Sequence, residues 1–362
     1  MLIFDFGTSA FKAGSAEAET PITYAPFVNH TLDQKTGLPS FLTGEAATSV
    51  PGRYMNPMED GYIDDFDLFE LVLGDLYQTL EVPPEAEGAV VAEPHFNPPK
   101  CRHKTVEIFF EHLKVPELSL QPSGVLQLIG TGRVTGLILD SGHAQTTTVP
   151  IFESFVVSHA INRVKLGGVH VETALAKILS RQNIHKAVKT QDRKYLADFK
   201  KQHVYAATAS MTSESRSAAY VLPDDTVVPL QDELWEAAEV LFNPEMLLLE
   251  MKGIANVLFD SIKTSPMDLT KPLLNNIVLA GGNTKITNLD KRLSQDLKSL
   301  APSTVAREIR LSALAEPEAA AWTGGKVFAS LRDGFNDHFV SRAEYYEFGP
   351  EYLRAKSSKS DR

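Results

Sequence analysis

Leu2-Ile3-Phe4-Asp5-Phe6-Gly7-Thr8-Ser9 opens the chain, and Leu137-Ile138-Leu139-Asp140-Ser141-Gly142-His143-Ala144 repeats its pattern much further along. In both, three apolar residues lead to an aspartate, one further residue and a glycine. Each reads as a buried strand running into a tight turn, followed by a second strand-like run, Phe11 to Gly14 and Thr146 to Phe152. A duplicated unit constrains a fold more than any local propensity does. The chain therefore reads as two similar halves of α/β class.

The repeated unit carries chemistry as well as shape. A strand that ends in aspartate and then glycine fixes a carboxylate at its terminus and frees the following backbone to approach anionic oxygens. Thr8 and Ser9 add hydroxyl donors after Gly7, and Lys12 is a point cation within reach of the same turn. Asp5 and Asp140 are expected to face each other beside a polyphosphate. That arrangement is costly without a hard cation, so both carboxylates are expected to hold magnesium, mostly through water. A third element joins them: Asn276-Ile-Val-Leu-Ala280 reads as a buried strand, and Gly281-Gly282 lets the backbone pass close to a flat ligand. Neither a Walker GxxxxGK[ST] loop nor a GxGxxG turn is present.

Composition narrows the function classes. A chain of 362 residues, 43% of them hydrophobic, has material for more than one core. The formal charge of -11, from 46 acidic against 35 basic side chains, disfavours nucleic acid and anionic lipid as direct ligands. Cys101 has no second cysteine to pair with. Met1-Leu-Ile-Phe-Asp5 reaches a carboxylate too soon for a secretory signal, and no apolar run is long enough to cross a bilayer. The expectation is a soluble intracellular protein without membrane insertion. The acceptor pattern Asn29-His30-Thr31 is then read as chance.

Helices are expected where apolar residues recur at three and four. The candidate stripes are Val106, Phe109, Phe110 and Leu113; Ala174, Leu175, Ile178 and Leu179; and Leu289, Leu293, Leu297 and Leu300. Residues 245 to 262 read as a longer helix with Gly253 as a weak point and with leucines directed into the core. Between 180 and 220 the polar pattern suggests an exposed subdomain, and residues 355 to 362 have nothing to bury.

With these features in place, the sequence resembles actin and the actin-related proteins through nearly its whole length. Besides the two hairpins, actin-like stretches are Gly44-Glu-Ala-Ala47, Glu59-Asp-Gly-Tyr-Ile-Asp-Asp65, Glu93-Pro-His-Phe-Asn-Pro98, Gly132-Arg-Val-Thr-Gly136, Tyr220-Val-Leu-Pro-Asp224, Leu300-Ala-Pro-Ser-Thr304, Trp322-Thr-Gly-Gly325 and Ser341-Arg-Ala-Glu-Tyr345 with Gly349-Pro350. The resemblance implies the actin-like ATPase fold: duplicated ribonuclease-H-like domains in two lobes, with four subdomains around a nucleotide cleft. The first lobe would span 1–130 with 320–362 returning to it and 26–56 as its small subdomain; the second would span 131–319 with 167–249 as its small subdomain.

By position, Asp5, Gly7, Thr8, Ser9, Lys12, Asp140 and Gly142 match the family's phosphate and metal site for ATP or ADP with Mg2+. His143 and Ala144 extend the second turn. Gly168, Gly281, Gly282 and Asn283 match the adenosine pocket, with Lys200 and Lys201 falling there too. Departures shape the functional expectation. Where actins place a glutamine and a histidine to position the attacking water, this sequence has Ser123 and Thr147, and neither reaches as far. Losing a positioned proton-transfer group costs ~100 to 10,000-fold in rate, so ATP hydrolysis is expected to be weak or absent. His143 replaces the aspartate that usually follows Asp-Ser-Gly; it reads either as a phosphate contact or as a cleft-edge residue without a chemical role. The loop from Val28 through Ser40, which in actin reaches into the next subunit, is short and has little apolar surface. Asn243 to Glu250, where actin carries a mobile apolar plug, reads as the start of a helix.

The resemblance with these departures implies a divergent actin-related protein. It would be a structural or adaptor subunit of a cytoskeletal or nuclear assembly, with actin or actin-related subunits among its partners, in the cytoplasm or nucleus. A filament-forming ATPase is the alternative. A phosphotransferase would need a carboxylate placed as general base, and the metal-site reading leaves none.

Overall fold

The computed structural model describes residues 1–32, 39–49, 52–181, 193–208, 218–221, 227–230, 233–334, 336–353 and 356. Residues 33–38 of the short loop, 222–224 of the Tyr220 stretch, much of the polar segment between 180 and 220, and residues 355 and 357–362 lie outside the described residues, as does the Leu179 side chain. The chain divides into two compact units, Met1–Arg133 with Ala319–Arg362, and Val134–Glu318.

In the first unit, β1 (Leu2–Phe6) pairs antiparallel with β2 (Phe11–Ser15) and parallel with β3 (Ala89–Glu93), which pairs parallel with β4 (Glu117–Pro122). The strands Val340–Ser341 and Ile22–Tyr24 close the two edges of this six-stranded sheet. The unbroken apolar run of β1 follows from burial on both faces. Leu2 and Phe4 pack with Phe69, Val72, Leu73 and Phe109 on one side, while Ile3 packs with Trp322, Leu126 and Phe328 on the other. Helix α1 (Pro99–Glu107) continues into a π-helical turn at Ile108–His112, and α2 (Ser123–Ile129) leaves the end of β4. Val106, Phe109 and Phe110 are fully buried, and Leu113 packs partly buried against them, as their spacing implies. Asn29 is buried with its amide on the Ala47 carbonyl, a poor glycan acceptor.

The second unit repeats the plan. Strand β5 (Gly136–Ser141) pairs antiparallel with β6 (Thr146–Phe152) and parallel with β7 (Ile277–Ala280). Helices α3 (Gly168–Arg181), α4 (Arg193–His203) and α5 (Leu289–Leu300) contribute Leu175, Phe199, Leu293 and Leu297 to one core with Leu137 and Leu139.

Three sequence expectations fail here. Leu300 is 39% exposed at the end of α5, so that stripe stops at Leu297. The helix expected over 245–262 is interrupted: a 3-10 turn covers Pro244–Leu247, Leu248 takes a left-handed φ of 60°, and the helix proper is Ile254–Thr264 with Gly253 as its N-cap. The leucines of this segment are also not all core. Leu248 is 90% exposed, while Leu247 and Met251 pack partly buried against the interior.

Candidate functional site

The two hairpins share one register. Asp5 stands opposite Lys12 and beside Ala92 of β3; Asp140 stands opposite Thr147 and beside Ala280 of β7. Each turn holds four residues between paired strands, so each aspartate is presented at the carboxyl end of a parallel strand pair, where open α/β sheets bind ligands.

In the first unit the turn is tight. A Cβ on Gly7 would lie 2.9 Å from the Ala10 carbonyl, and Lys12 Nζ donates to that same oxygen at 3.3 Å. Asn56 Nδ2 donates to the Thr8 carbonyl at 2.8 Å and so ties the turn to the chain beyond the Arg53–Met55 strand; Ser9 is exposed. Two more groups stand at the carboxyl ends of the parallel strands, His95 after β3 and Ser123 after β4. His95 Nε2 accepts the Gly124 amide at 3.3 Å, and Tyr62 Oη donates to the His95 carbonyl at 2.8 Å. Burial holds the imidazole down to about 4, so it is neutral at physiological pH.

The second unit gathers more of the expected residues. Gly142 N donates to the Gln145 carbonyl at 2.9 Å and closes the turn that carries His143 and Ala144. A buried hydroxyl chain runs from Ser141 to Thr146 to the Leu166 carbonyl and fixes the base of the hairpin. The amides of Gly168 and Val169, at the start of α3, donate to the carbonyls of Gly142 and His143 at 3.0 and 2.9 Å. Asn283, 4% exposed, donates to Ser141 Oγ and to the Gly142 carbonyl. Hairpin, helix start and β7 turn are thereby one assembly.

Glycine at 281 is a requirement of the protein itself. Its φ of 83° with ψ of 151° suits essentially only glycine, and a Cβ there would lie 2.4 Å from the Ser141 carbonyl and 2.5 Å from Asp140 Oδ1. A side chain at Gly282 would meet nothing within 4 Å, so the backbone there borders open space. Gly168 is the centre of a polar cluster, with Lys200 Nζ, Asn283 Oδ1 and His143 Nδ1 all around the position a Cβ would take.

Lys200 Nζ is paired with Glu172 Oε1 at 2.7 Å, and His143 Nδ1 lies 3.8 Å from the same oxygen. Lys201 is not in this cluster; its side chain is 72% exposed and lies 3.9 Å from Asp198. Sequence reasoning missed Glu172, His95 and Asn56. Glu172 had a local signal, one turn after Gly168 on the apolar-striped helix; His95 and Asn56 had none, since each gains its role from a different strand.

These residues fit a nucleotide. In the second unit the backbone passes closely at Gly168 and Gly281 with open space at Gly282, Asn283 sets the turn and Asp140 stands on the hairpin; in the first unit Asp5 stands on its own hairpin. Among the described residues no three His, Cys, Asp or Glu side chains group to hold a metal directly. No helix among the described residues is long and apolar enough to cross a membrane. A family model described as Actin matches residues 1–358.

Proposed function

The chain belongs to the actin family, and from that premise we propose that it is a nucleotide-binding structural or adaptor subunit of a cytoskeletal or nuclear assembly, with ATP or ADP as a cofactor of folding rather than a fuel. The two-lobed α/β fold of that family generally binds nucleotide with Mg2+. In this chain Asp5 and Asp140 would hold the ion through water, and Gly7, Thr8, Ser9, Lys12, Gly142, His143 and Ala144 would receive the phosphates. Gly168, Lys200, Gly281, Gly282 and Asn283 would receive the nucleoside. When bound, the ion supplies charge neutralisation for the phosphate oxygens.

The observation that carries the reading is Thr147 as the cross-strand partner of Asp140. A threonine hydroxyl lies close to the backbone and has neither the length nor the basicity to draw a proton from an attacking water. Ser123, the first residue of α2, is equally short. Binding would persist while cleavage is slow. The partners would be proteins, in the cytoplasm or the nucleus, with actin or actin-related subunits among them; the charge of -11 supports protein rather than nucleic-acid contacts.

One observation favours the filament-forming alternative. Met246 and Leu248 stand 42% and 90% exposed where actin carries its apolar plug. A pelleting assay with Mg-ATP, run beside a single-turnover cleavage assay, separates the readings. The adaptor reading expects bound ATP, little cleavage and no pellet; a pellet that depends on nucleotide establishes the alternative.

A further inference from the structure

Helix α6 (Arg342–Phe348) of the first unit gives only part of its aromatic surface to the core. Tyr345 is buried, stacks on Phe110 with ring centres 4.7 Å apart and donates its hydroxyl to Glu111 at 2.6 Å. Tyr346 is instead 64% exposed and Phe348 52% exposed. Both rings are nevertheless held in place. Tyr346 meets Tyr345 edge-on at 5.4 Å, and Phe348 stacks at 4.5 Å on Tyr352, next to the buried Leu353. A reciprocal cap between Ser341 and Glu344 fixes the start of the helix, and Lys356 pairs with Glu344 at 2.8 Å. Two ordered rings that keep an open face in water are apolar surface the fold itself does not use. The charge beside them is of one sign. Glu347, between them in sequence, is exposed, and Glu351, 65% exposed, lies 2.8 Å from His103. Lys104 is already matched by Glu107, and Lys356 by Glu344. Among the described residues no lysine or arginine pairs with Glu111, Glu347 or Glu351.

We propose that Tyr346 and Phe348, with Glu111, Glu347 and Glu351 beside them, form a docking surface for a basic amphipathic segment of a partner protein. The arginines of that segment stack on the two open rings and pair with the carboxylates, while its apolar side chains cover the ring edges. A guanidinium suits both tasks, because it is planar, weakly hydrated and matched to a carboxylate. Fixed aromatic rings are the residues that most often anchor protein contacts. A second copy of this chain fits poorly, since it would set the same carboxylates, on a chain of net charge -11, against themselves. The surface lies wholly in the first unit and does not depend on bound nucleotide, so its failure would leave the nucleotide reading untouched.

The test is fluorescence anisotropy of the full chain with two labelled synthetic helical peptides, one with a leucine face and an arginine face, the other with every arginine replaced by glutamate. The wild type should bind the arginine peptide at least about tenfold more tightly than the glutamate peptide. Tyr346→Ser combined with Phe348→Ser should weaken the arginine peptide about tenfold, with the melting temperature lowered by less than about 3 °C because both rings are surface groups. Glu347→Gln combined with Glu351→Gln should weaken it about threefold and flatten its dependence on salt. Tyr346→Ser alone, at the more exposed ring, serves if the double serine variant does not fold. Equal binding of both peptides by the wild type, or binding of neither, overturns the proposal. Unchanged binding of the arginine peptide by the serine variants also overturns it, since a diffuse attraction to an acidic chain would then account for the affinity. Sedimentation velocity covers the remaining occupant: a wild-type dimer that the serine variants lose assigns the rings to self-association and overturns the basic partner.

Discussion

Asp140 and Thr147 are direct cross-strand partners in the second hairpin, as Asp5 and Lys12 are in the first. Directly opposed residues share a face of the sheet with their Cβ atoms about 5 Å apart. The cation that accompanies the first aspartate thus has a hydroxyl as its counterpart in the second. If hydrolysis is limited by this exchange, restoring longer groups should restore it. Thr147→His combined with Ser123→Gln is expected to raise single-turnover ATP cleavage by about 100-fold. No gain, with nucleotide affinity retained, would show that the deficit lies elsewhere.

The neighbouring glycines should respond oppositely. Gly281→Ala forces a Cβ against Ser141 and Asp140 in a backbone region closed to other residues, and is expected to cost about 3 kcal/mol. That should appear as a clear fall in melting temperature. Gly282→Ala projects into open space, so it should leave the melting temperature within about 1 °C and weaken nucleotide binding instead. Equal melting temperatures for the two variants would remove the distinction drawn between them.

His95 gives the first unit a pH dependence. Burial lowers its imidazole from 6.5 to about 4 in the fold. The unfolded chain therefore binds the proton more readily between those values. The resulting stability is fully present above about 6.5 and is lost as pH falls towards about 4, a change of about 3 kcal/mol over the window. Urea denaturation of the wild type and His95→Gln at pH 7 and pH 4.5 checks this. The difference between the two proteins should shrink or reverse at the lower pH; a constant difference would refute the assignment.

Much of the architecture was legible in the sequence because the decisive strands are buried on both faces, which makes them apolar without interruption. The aspartate that ends each run then marks where burial stops. The alternation of Leu2 and Phe4 against Ile3 across the sheet explains why no period-2 pattern was needed. The segment 245–262 misled for a related reason. Its leucines read as helical, but Pro244 opens a separate turn, Leu248 reverses the chain in a left-handed conformation, and Gly253 starts a new helix. At the candidate site, residues tied to a glycine turn could be read from spacing. Glu172 had only the local signal of its place one turn after Gly168, since its ion-pair partner Lys200 comes from another helix, and Lys201 turns its side chain outward beside Lys200 because adjacent residues on a helix point in different directions.

The central claim is that Asp5 and Asp140, repeats of one another in sequence and register, both serve a bound nucleotide and its ion. The most direct measurement is the thermal shift produced by millimolar Mg-ATP on the wild type, Asp5→Ala and Asp140→Ala. Ligand at 100 times its dissociation constant adds about 2.7 kcal/mol to stability, enough for a shift of several degrees. The account predicts that shift in the wild type and its loss in both variants; a shift that survives unchanged in either variant contradicts it.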